Sequence, residues 1–249
     1  MTGEPFLSVE SAVRRFEGLT AVDTVSFAVA RGEIVSMIGP NGAGKTTMFN
    51  LITGQLSLSD GIIIFRGEQI GALPPHVRAK RGIGRTFQIA KPLIALTTRE
   101  NVMVGAFLHT SSYAVAYEMA SEVLAEVGLE TRAEVPAGEL TLSERRRLEI
   151  ARALALAPKM ILLDEVMAGL NATEVTKVIE LIQRLNGRGL TFLVIEHNLK
   201  VVRAVSRRVI VLDHGAKIAE GTATDVLSDP MVIKAYLGKR ADERAACRR

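Results

Sequence analysis

The feature that most constrains this chain is a glycine-rich segment, Gly39–Thr46 (GPNGAGKT), which matches the pattern G-x-x-x-x-G-K-S/T. It continues Glu33–Gly39 (EIVSMIG), a nearly continuous apolar run that is typical of a strand buried on both faces. A helix that starts near Lys45 can follow, so a strand, a turn and a helix come in the order that a phosphate-binding loop needs. A plain glycine turn is the alternative, but the buried strand before the loop and the helix after it favour phosphate binding.

The chemistry of this loop indicates a nucleoside triphosphate as its ligand. Glycines let the backbone curl so that successive N–H groups face an anion, and the dipole of the following helix adds to the attraction. Lys45 places a positive charge on the β- and γ-phosphates, and the Thr46 hydroxyl can bind Mg²⁺. The residues predicted to bind the nucleotide are Gly39, Pro40, Asn41, Gly42, Ala43, Gly44, Lys45, Thr46 and Thr47.

Two adjacent acids close a second apolar strand, Met160–Leu163. In a protein with a phosphate loop, Asp164 would hold Mg²⁺ through water or together with Thr46. Neighbouring residues on a strand point to opposite sides, but at the strand's end Glu165 can turn toward the γ-phosphate. Its carboxylate can then orient the attacking water or take its proton. Without the phosphate loop, both acids would be ordinary solvated residues at a strand end.

The order of the predicted elements indicates an α/β fold. Residues 6–30 alternate between apolar and polar, which favours antiparallel strands, and residues 88–150 look like a helical insertion between two strands. Thr141 and Glu144 form a capping-box pattern at the start of a helix that we place at about 143–156. Beyond it the predicted elements are strands at 160–163 and 190–195, helices at 173–186 and 198–206, and a hairpin at 209–220.

Composition and charge exclude several classes of protein. Of the 249 residues, 48% are apolar and 23% are charged, which is not the composition of a disordered chain. The net charge is +4, but five basic and two acidic residues follow Gly238, so only +1 remains on the body. A nucleic-acid binder usually carries its charge on the folded body, so we expect no nucleic-acid partner. The only cysteine, Cys247, allows neither a disulfide framework nor a cysteine zinc site.

No segment of the sequence predicts secretion or membrane insertion. The first residues lack the basic and apolar regions of a signal peptide. No window of about 18 residues is apolar enough to cross a bilayer. We therefore expect a cytoplasmic protein.

In their order along the chain, these motifs resemble those of the nucleotide-binding subunits of ABC transporters, over about residues 6–238. The resemblance implies a P-loop NTPase core of the ABC type with an antiparallel β subdomain and an inserted helical subdomain at about 89–152. It implies a single nucleotide-binding domain, 1–238, and a basic tail, 239–249, that we expect to be disordered. The implied cofactors are ATP and Mg²⁺, and the implied activity is ATP hydrolysis.

The resemblance also gives roles to single residues. Gln88, in Arg85–Gln88 (RTFQ), matches the Q-loop glutamine that reaches Mg²⁺ and the attacking water and couples to the membrane partner. Glu165 matches the catalytic glutamate, and His197, which follows an apolar strand, matches the switch histidine. Phe16 lies where the family stacks an aromatic ring on adenine, although a phenylalanine taken alone is more simply a core residue. The implied catalytic residues are Glu165, His197 and Gln88, and the implied metal ligands are Thr46, Gln88 and Asp164.

One motif departs from the family pattern. The family's signature usually reads Leu-Ser-Gly-Gly-Gln and presents a helix N-terminus to ATP held by the other subunit of a head-to-tail dimer. After Leu140, this chain has Thr141, Leu142, Ser143 and Glu144. Ser143 replaces a glycine and adds bulk where a backbone should approach closely. Because the phosphate loop is intact, we hypothesise a heterodimer with one normal and one impaired ATP site, and a homodimer is the alternative.

Two further positions can be compared with the motifs of the family. Asn171, in Ala168–Asn171 (AGLN), matches the D-loop of the family. Val166 replaces the proline that usually follows the two acids, which removes a rigid turn.

Longer stretches narrow the subtype. GIGRTFQIAKPL, ENVMVGAF and IAEGTATDVLSDPMVIKAYLG most resemble ATPase subunits of branched-chain amino acid importers, and lipopolysaccharide-export ATPases share part of this pattern. The implied partners are transmembrane permease subunits, a second ATPase subunit and, indirectly, a periplasmic or extracellular binding protein. The chain would then lie on the inner face of the cell membrane.

Two other functions stay open at this point. The first is a regulatory module that dimerises with ATP and hydrolyses little, which the altered signature favours and Glu165 and His197 oppose. The second is a soluble ATPase that acts on nucleic acid or in translation, a class that usually carries insertions not found in this chain.

Overall fold

The computed structural model describes residues 4–86 and 92–235. In chain order, the strands are β1 (Leu7–Phe16), β2 (Leu19–Val29), β3 (Ile34–Ile38), β4 (Asp60–Phe65), β5 (Glu68–Gln69), β6 (Ile83–Arg85), β7 (Met160–Asp164), β8 (Thr191–Ile195), β9 (Arg208–Asp213) and β10 (Ala216–Gly221). The α-helices are α1 (Lys45–Thr53), α2 (Pro75–Lys80), α3 (Thr98–Ala106), α4 (Tyr113–Glu126), α5 (Leu142–Leu154), α6 (Ala172–Gly187), α7 (Leu199–Val205) and α8 (Ala223–Ser228). Short 3₁₀ turns cover Glu130–Arg132 and Ala137–Glu139.

The described residues form two compact units. Unit 1 comprises residues 4–75 and 193–235, and unit 2 comprises residues 76–86 and 92–192. The predicted helical insertion lies in unit 2 from residue 92 onward, and its bounds stay a prediction, as do those of the single domain 1–238. Gln88 and the predicted tail, 239–249, lie outside the described residues.

An antiparallel sheet with the strand order β2-β1-β4-β5 lies in unit 1. Along β2, the buried side chains of Val25, Phe27 and Val29 alternate with side chains that are less buried. A period of two places every second side chain on the same face, which becomes the core face of the sheet. The antiparallel strands predicted from this alternation are confirmed.

The phosphate loop follows β3, which pairs with β9 in unit 1. All five residues of β3 are buried, and β3 runs parallel to β9, with Val35 opposite Arg208 and Ile38 opposite Val211. β9 and β10 form the predicted hairpin, whose turn places both His214 and Gly215 at positive φ. Two successive residues at positive φ match the right-handed twist of the flanking strands.

Unit 2 contains the parallel pair β6 and β7 together with α3, α4, α5 and α6. The helices α3, α4 and α5 pack on one another. Each of α3, α5 and α6 begins with a capping box, in which an N-cap side chain and a glutamate three residues later bond each other's backbone N–H. In α6, Val178, Leu181, Ile182 and Leu185 form one buried stripe at helical spacing.

The fold is α/β, as the sequence predicts, with parallel strands connected through helices and an antiparallel sheet. Within the residues that the structure describes, no helix combines the length and the apolar character needed to cross a bilayer.

Candidate nucleotide-binding site

The loop between β3 and α1 has a shape that only glycine allows at two of its positions. At Gly39 φ is +148°, and a Cβ atom there would lie 2.1 Å from the carbonyl oxygen of Leu212. At Gly44 φ is +98°, and a Cβ atom would lie 2.5 Å from the carbonyl oxygen of Ala21. Both glycines are therefore needed for backbone conformation and for close packing against neighbouring strands.

Backbone hydrogen bonds connect the loop to the turn between β9 and β10. The Gly215 N–H donates to the Ala43 carbonyl oxygen at 3.2 Å, and the Asp23 N–H donates to the Gly215 carbonyl oxygen at 2.8 Å. The turn of the β9–β10 hairpin thus connects the loop to β2. The sequence predicts the hairpin at 209–220 but gives no signal of its contact with the phosphate loop, because that contact depends on tertiary structure.

Lys45 is buried at the start of α1, with 6% of its surface exposed. Its ammonium Nζ donates to the carbonyl oxygens of Gly39 at 2.8 Å and of Pro40 at 2.9 Å. A buried ammonium needs such acceptors because its desolvation is costly. Lys45 therefore connects the end of the loop to its beginning through these hydrogen bonds, and it keeps a positive charge inside the loop.

The start of α1 favours an anion. Its first turn contains no acidic residue, and Thr46 is exposed there. The free N–H groups and the dipole of a helix N-terminus attract negative charge. Asn41 and Gly42 are also exposed, Thr47 is half-buried, and Pro40 and Ala43 are buried. The predicted phosphate ligands thus lie on one loop in unit 1.

Two other predicted residues of unit 1 are accessible. Phe16 ends β1 with 40% of its surface exposed, so it is not a core residue. The guanidinium of Arg14 lies 4.6 Å from the centre of the Phe16 ring. His197 follows β8 and is exposed.

Asp164 ends β7 in unit 2, where only 1% of its side chain is exposed. Its Oδ2 accepts a hydrogen bond from Nη2 of Arg85 at 3.0 Å, and its backbone N–H donates to the Thr86 hydroxyl at 3.1 Å. Burial lowers the pKa of the Arg85 guanidinium, and the negative charge of Asp164 offsets part of that effect. Arg85 belongs to the RTFQ motif, but no pattern in the sequence predicts its pairing with Asp164.

Glu165 has a strained backbone. Its φ is +52°, in the left-handed region of backbone conformation that residues other than glycine and asparagine rarely adopt. The Ala168 N–H donates to the Glu165 carbonyl oxygen at 3.1 Å, and Val166 is fully buried beneath this turn. A hydrogen-bonded turn therefore follows the strand although the usual proline is absent. Backbone strain of this kind collects at functional sites.

The altered signature forms the first turn of α5. The Thr141 hydroxyl accepts from the Glu144 N–H at 3.3 Å, and the Glu144 carboxylate accepts from the Thr141 N–H at 2.9 Å and from Arg132 Nε at 2.9 Å. Burial alone would raise the pKa of Glu144, but these hydrogen bonds and the charge of Arg132 hold it below its ordinary value. Leu142 is exposed, and Ser143 is half-buried within α5 with no positive φ. In this structure, serine at position 143 causes no backbone strain.

Asn171 is the N-cap of α6, and its Oδ1 accepts from the Glu174 N–H at 3.0 Å. The predicted D-loop residue therefore starts a helix. Unit 2 also holds Asp164, Glu165 and the altered signature, whereas the phosphate loop, Phe16 and His197 belong to unit 1.

The available donors fit Mg²⁺. In residues 4–86 and 92–235, no group of three or more His, Cys, Asp or Glu side chains could hold a metal ion by itself. Mg²⁺ usually takes one or two protein oxygens and completes its shell with phosphate oxygens and water. The Asp164 carboxylate and the Thr46 hydroxyl are hard oxygen donors of this kind.

The glycine loop between a buried parallel strand and a helix defines a P-loop nucleotide-binding protein. The chain belongs to the ABC transporter family, whose sequence model, described as "ABC transporter", matches residues 22–168. It is an ATP-binding subunit of the ABC type and an ATPase. A second model, described as "Branched-chain amino acid ATP-binding cassette transporter", matches residues 216–242.

Known relatives extend over nearly the whole chain. It is 40% identical to the high-affinity branched-chain amino acid transport ATP-binding protein BraF of Pseudomonas aeruginosa, over 94% of this chain and 98% of the relative. It is 38% identical to the lipopolysaccharide export system ATP-binding protein LptB of Escherichia coli, over 94% and 97%. The predicted resemblance to the importer ATPases is confirmed, and the exporter resemblance is present as well.

Solved structures agree with the fold. A nucleotide-free ATP-binding cassette from an ABC transporter superposes with a TM-score of 0.87 at 33% identity, over 94% of this chain and 99% of that chain. A dimeric cassette in a post-hydrolysis state bound to ADP and Pi superposes with a TM-score of 0.79 at 28% identity, over 87% and 98%.

Proposed function

We propose that this ABC ATPase powers the import of branched-chain or other hydrophobic amino acids. The observation that carries the proposal is the match of residues 216–242 to the model of branched-chain amino acid cassettes. This segment follows the residues that match the general ABC transporter model, so it bears on the subtype. The 40% identity to BraF supports the same transported substrate.

The proposed mechanism starts at the phosphate loop. The phosphates of ATP are bound by the loop N–H groups, by Lys45 and by the first turn of α1. Phe16 stacks on the adenine with the ring face that is not covered by Arg14. Mg²⁺, when bound, would neutralise charge that develops on the phosphates, and Thr46, Asp164 and Gln88 would hold it.

Glu165 is the proposed catalytic carboxylate. It accepts a proton from the water whose oxygen attacks the γ-phosphorus, while the bond to the β-phosphate oxygen breaks and ADP leaves. His197 is proposed to bind the γ-phosphate. The first turn of α5 and Asn171 are proposed to face ATP held by a second ATPase subunit. The dimeric state of a solved cassette supports the pairing of two such subunits.

The proposed partners follow from the same relatives. Two ATPase subunits would drive transmembrane permease subunits on the inner face of the membrane, and a binding protein outside it would deliver the substrate. Nucleic acid has no part in this proposal.

Uptake of labelled leucine tests the transported substrate. Cells that lack the gene for this chain are complemented with the native chain or with Lys45→Met, and uptake of leucine and of lysine is measured. We expect the native chain alone to restore leucine uptake and neither chain to change lysine uptake. If leucine uptake never depends on the chain, while lipopolysaccharide at the cell surface does, the exporter proposal replaces this one.

A second candidate function, an ATP-dependent regulatory module with little hydrolysis, is favoured by Ser143 in place of the signature glycine. The native chain, Ser143→Gly and Glu165→Gln are compared for ATPase activity, alone and with a co-purified second subunit. We expect Glu165→Gln to retain ATP, lose turnover and accumulate as a dimer. Turnover that is undetectable in the native chain in both settings would support the regulatory module.

A further inference from the structure

A buried ion pair involves the carboxylate that is proposed to bind Mg²⁺. Arg85 and Asp164 have 7% and 1% of their side chains exposed, and Nη2 of the arginine lies 3.0 Å from Oδ2 of the aspartate. A buried carboxylate without a compensating charge is expensive, so the arginine stabilises the charged form of Asp164.

The backbone fixes this pair from the other side. β6 and β7 are parallel, with Arg85 opposite Leu162. The Thr86 N–H donates to the Leu162 carbonyl oxygen at 3.0 Å, and the Thr86 hydroxyl accepts from the Asp164 N–H at 3.1 Å. Two consecutive residues at the end of β6 thus hold the side chain and the backbone of Asp164.

The Arg85 guanidinium has space into which it can withdraw. A cavity of about 190 Å³ in unit 2 is lined by Arg85 together with Asn101, Glu149 and Arg152. Glu149 is a buried carboxylate, and it accepts from Arg152 Nη1 at 2.9 Å. The rest of the lining is mostly apolar, from Val104, Ala153 and Leu156, so an arginine that leaves Asp164 would approach the Glu149–Arg152 ion pair within this cavity.

We propose that Arg85 is an internal counter-ion of Asp164 that Mg²⁺ must displace, and that it thereby sets the affinity of the metal. The inference rests on the proposed role of Asp164 as a magnesium ligand. A divalent cation and a guanidinium at one buried carboxylate repel each other strongly, because screening by water is weak there. Arg85 positions the carboxylate before the metal binds, and it acts through Asp164 rather than on the nucleotide.

Metal binding without turnover tests this role. Free Mn²⁺ is followed by electron paramagnetic resonance while it is titrated into protein that is saturated with a non-hydrolysable ATP analogue. We compare the native chain, Arg85→Met and a matched control, Arg99→Met, which removes a mostly buried arginine paired with Glu134 in the same unit. We expect the dissociation constant of Mn²⁺ to fall at least tenfold in Arg85→Met and to stay within twofold in Arg99→Met. An unchanged or weaker affinity in Arg85→Met overturns the inference.

Two further measurements keep the result interpretable. Asp164→Asn should raise the dissociation constant of Mn²⁺ at least tenfold, and if it does not, the proposed role of Asp164 itself is wrong. If Arg85→Met does not fold, the guanidinium signal of Arg85 in the native chain is followed by nuclear magnetic resonance. That signal should shift when Mg²⁺ is added to the analogue-bound protein and not when the analogue is added with a chelator. A signal that Mg²⁺ does not move refutes the displacement.

Discussion

Alanine substitutions at two glycines of the phosphate loop distinguish the cost of backbone strain from the cost of steric overlap. At Gly42, φ is +78° and a Cβ atom would meet nothing within 4 Å. At Gly39, φ is +148° and a Cβ atom would lie 2.1 Å from the Leu212 carbonyl oxygen. Gly42→Ala therefore bears only a conformational cost, whereas Gly39→Ala also forces the loop and β9 apart.

The two substitutions should differ several-fold in how much they lower the free energy of unfolding. A left-handed conformation costs an alanine about 1–2 kcal/mol, and the lower entropy of the unfolded chain returns roughly 0.4–1 kcal/mol. We expect Gly42→Ala to lower the free energy of unfolding by about 1 kcal/mol. At Gly39, strain of roughly 1–3 kcal/mol adds to an overpacking cost of about 1–3 kcal/mol. After the same return of roughly 0.4–1 kcal/mol from the unfolded chain, Gly39→Ala should lower the free energy of unfolding by about 3 kcal/mol.

Urea unfolding of the nucleotide-free variants, followed by circular dichroism, measures this difference. The midpoint should fall in both variants, and much further for Gly39→Ala, with the same slope of free energy against urea. Equal midpoints for Gly39→Ala and Gly42→Ala would show that the close approach of Leu212 does not limit the loop. Because Gly42→Ala carries the loop strain without the overlap, it is the matched control.

Three other outcomes follow from the same structure. Thr141→Ala removes an N-cap hydroxyl and should lower the free energy of unfolding by about 1 kcal/mol in urea melts, whereas no change would show that the capping box contributes little. Burial alone would raise the pKa of Glu33, but hydrogen bonds from Arg208 and the Ala30 N–H hold it below 4.5. The stabilisation by the charged Glu33 is therefore present above pH 4.5 and is lost as the pH falls through the lowered pKa. In a plot of the urea midpoint against pH, Glu33→Gln should make the fall at acid pH less steep. Glu165→Gly should relieve strain and raise the free energy of unfolding by roughly 0.5 kcal/mol while ATPase activity disappears, and a less stable variant would contradict the strain argument.

Local patterns predicted the elements that carry strong periodicity or capping chemistry. The helix that begins after Thr141 was predicted at about 143–156 and spans Leu142–Leu154, because the capping box fixes its start. The helix predicted at 173–186 spans Ala172–Gly187. Periodicity did not predict β6, Ile83–Arg85, since three residues are too few to show a period.

Contacts between distant segments explain what local patterns could not predict. The glycine pattern predicts a curled loop, but the atoms that exclude a side chain at Gly39 and Gly44 belong to β9 and β2. The pairing of Arg85 with Asp164 likewise depends on the parallel register of β6 with β7. A motif can mark such a residue, but its partner is known only when the strands are placed.

The strained backbone at Glu165 gives an argument for function that does not depend on any motif. The turn after β7 needs a left-handed residue, and glycine or asparagine would supply it at lower cost than glutamate. Other non-glycine residues with positive φ include His214, which lies in a hairpin turn where such a conformation is ordinary. Glu165 instead follows a fully buried strand and comes directly after Asp164, a carboxylate held by an arginine. A cost of about 1–2 kcal/mol at this position is explained if the glutamate carboxylate is itself required, as the proposed attack on the γ-phosphorus demands.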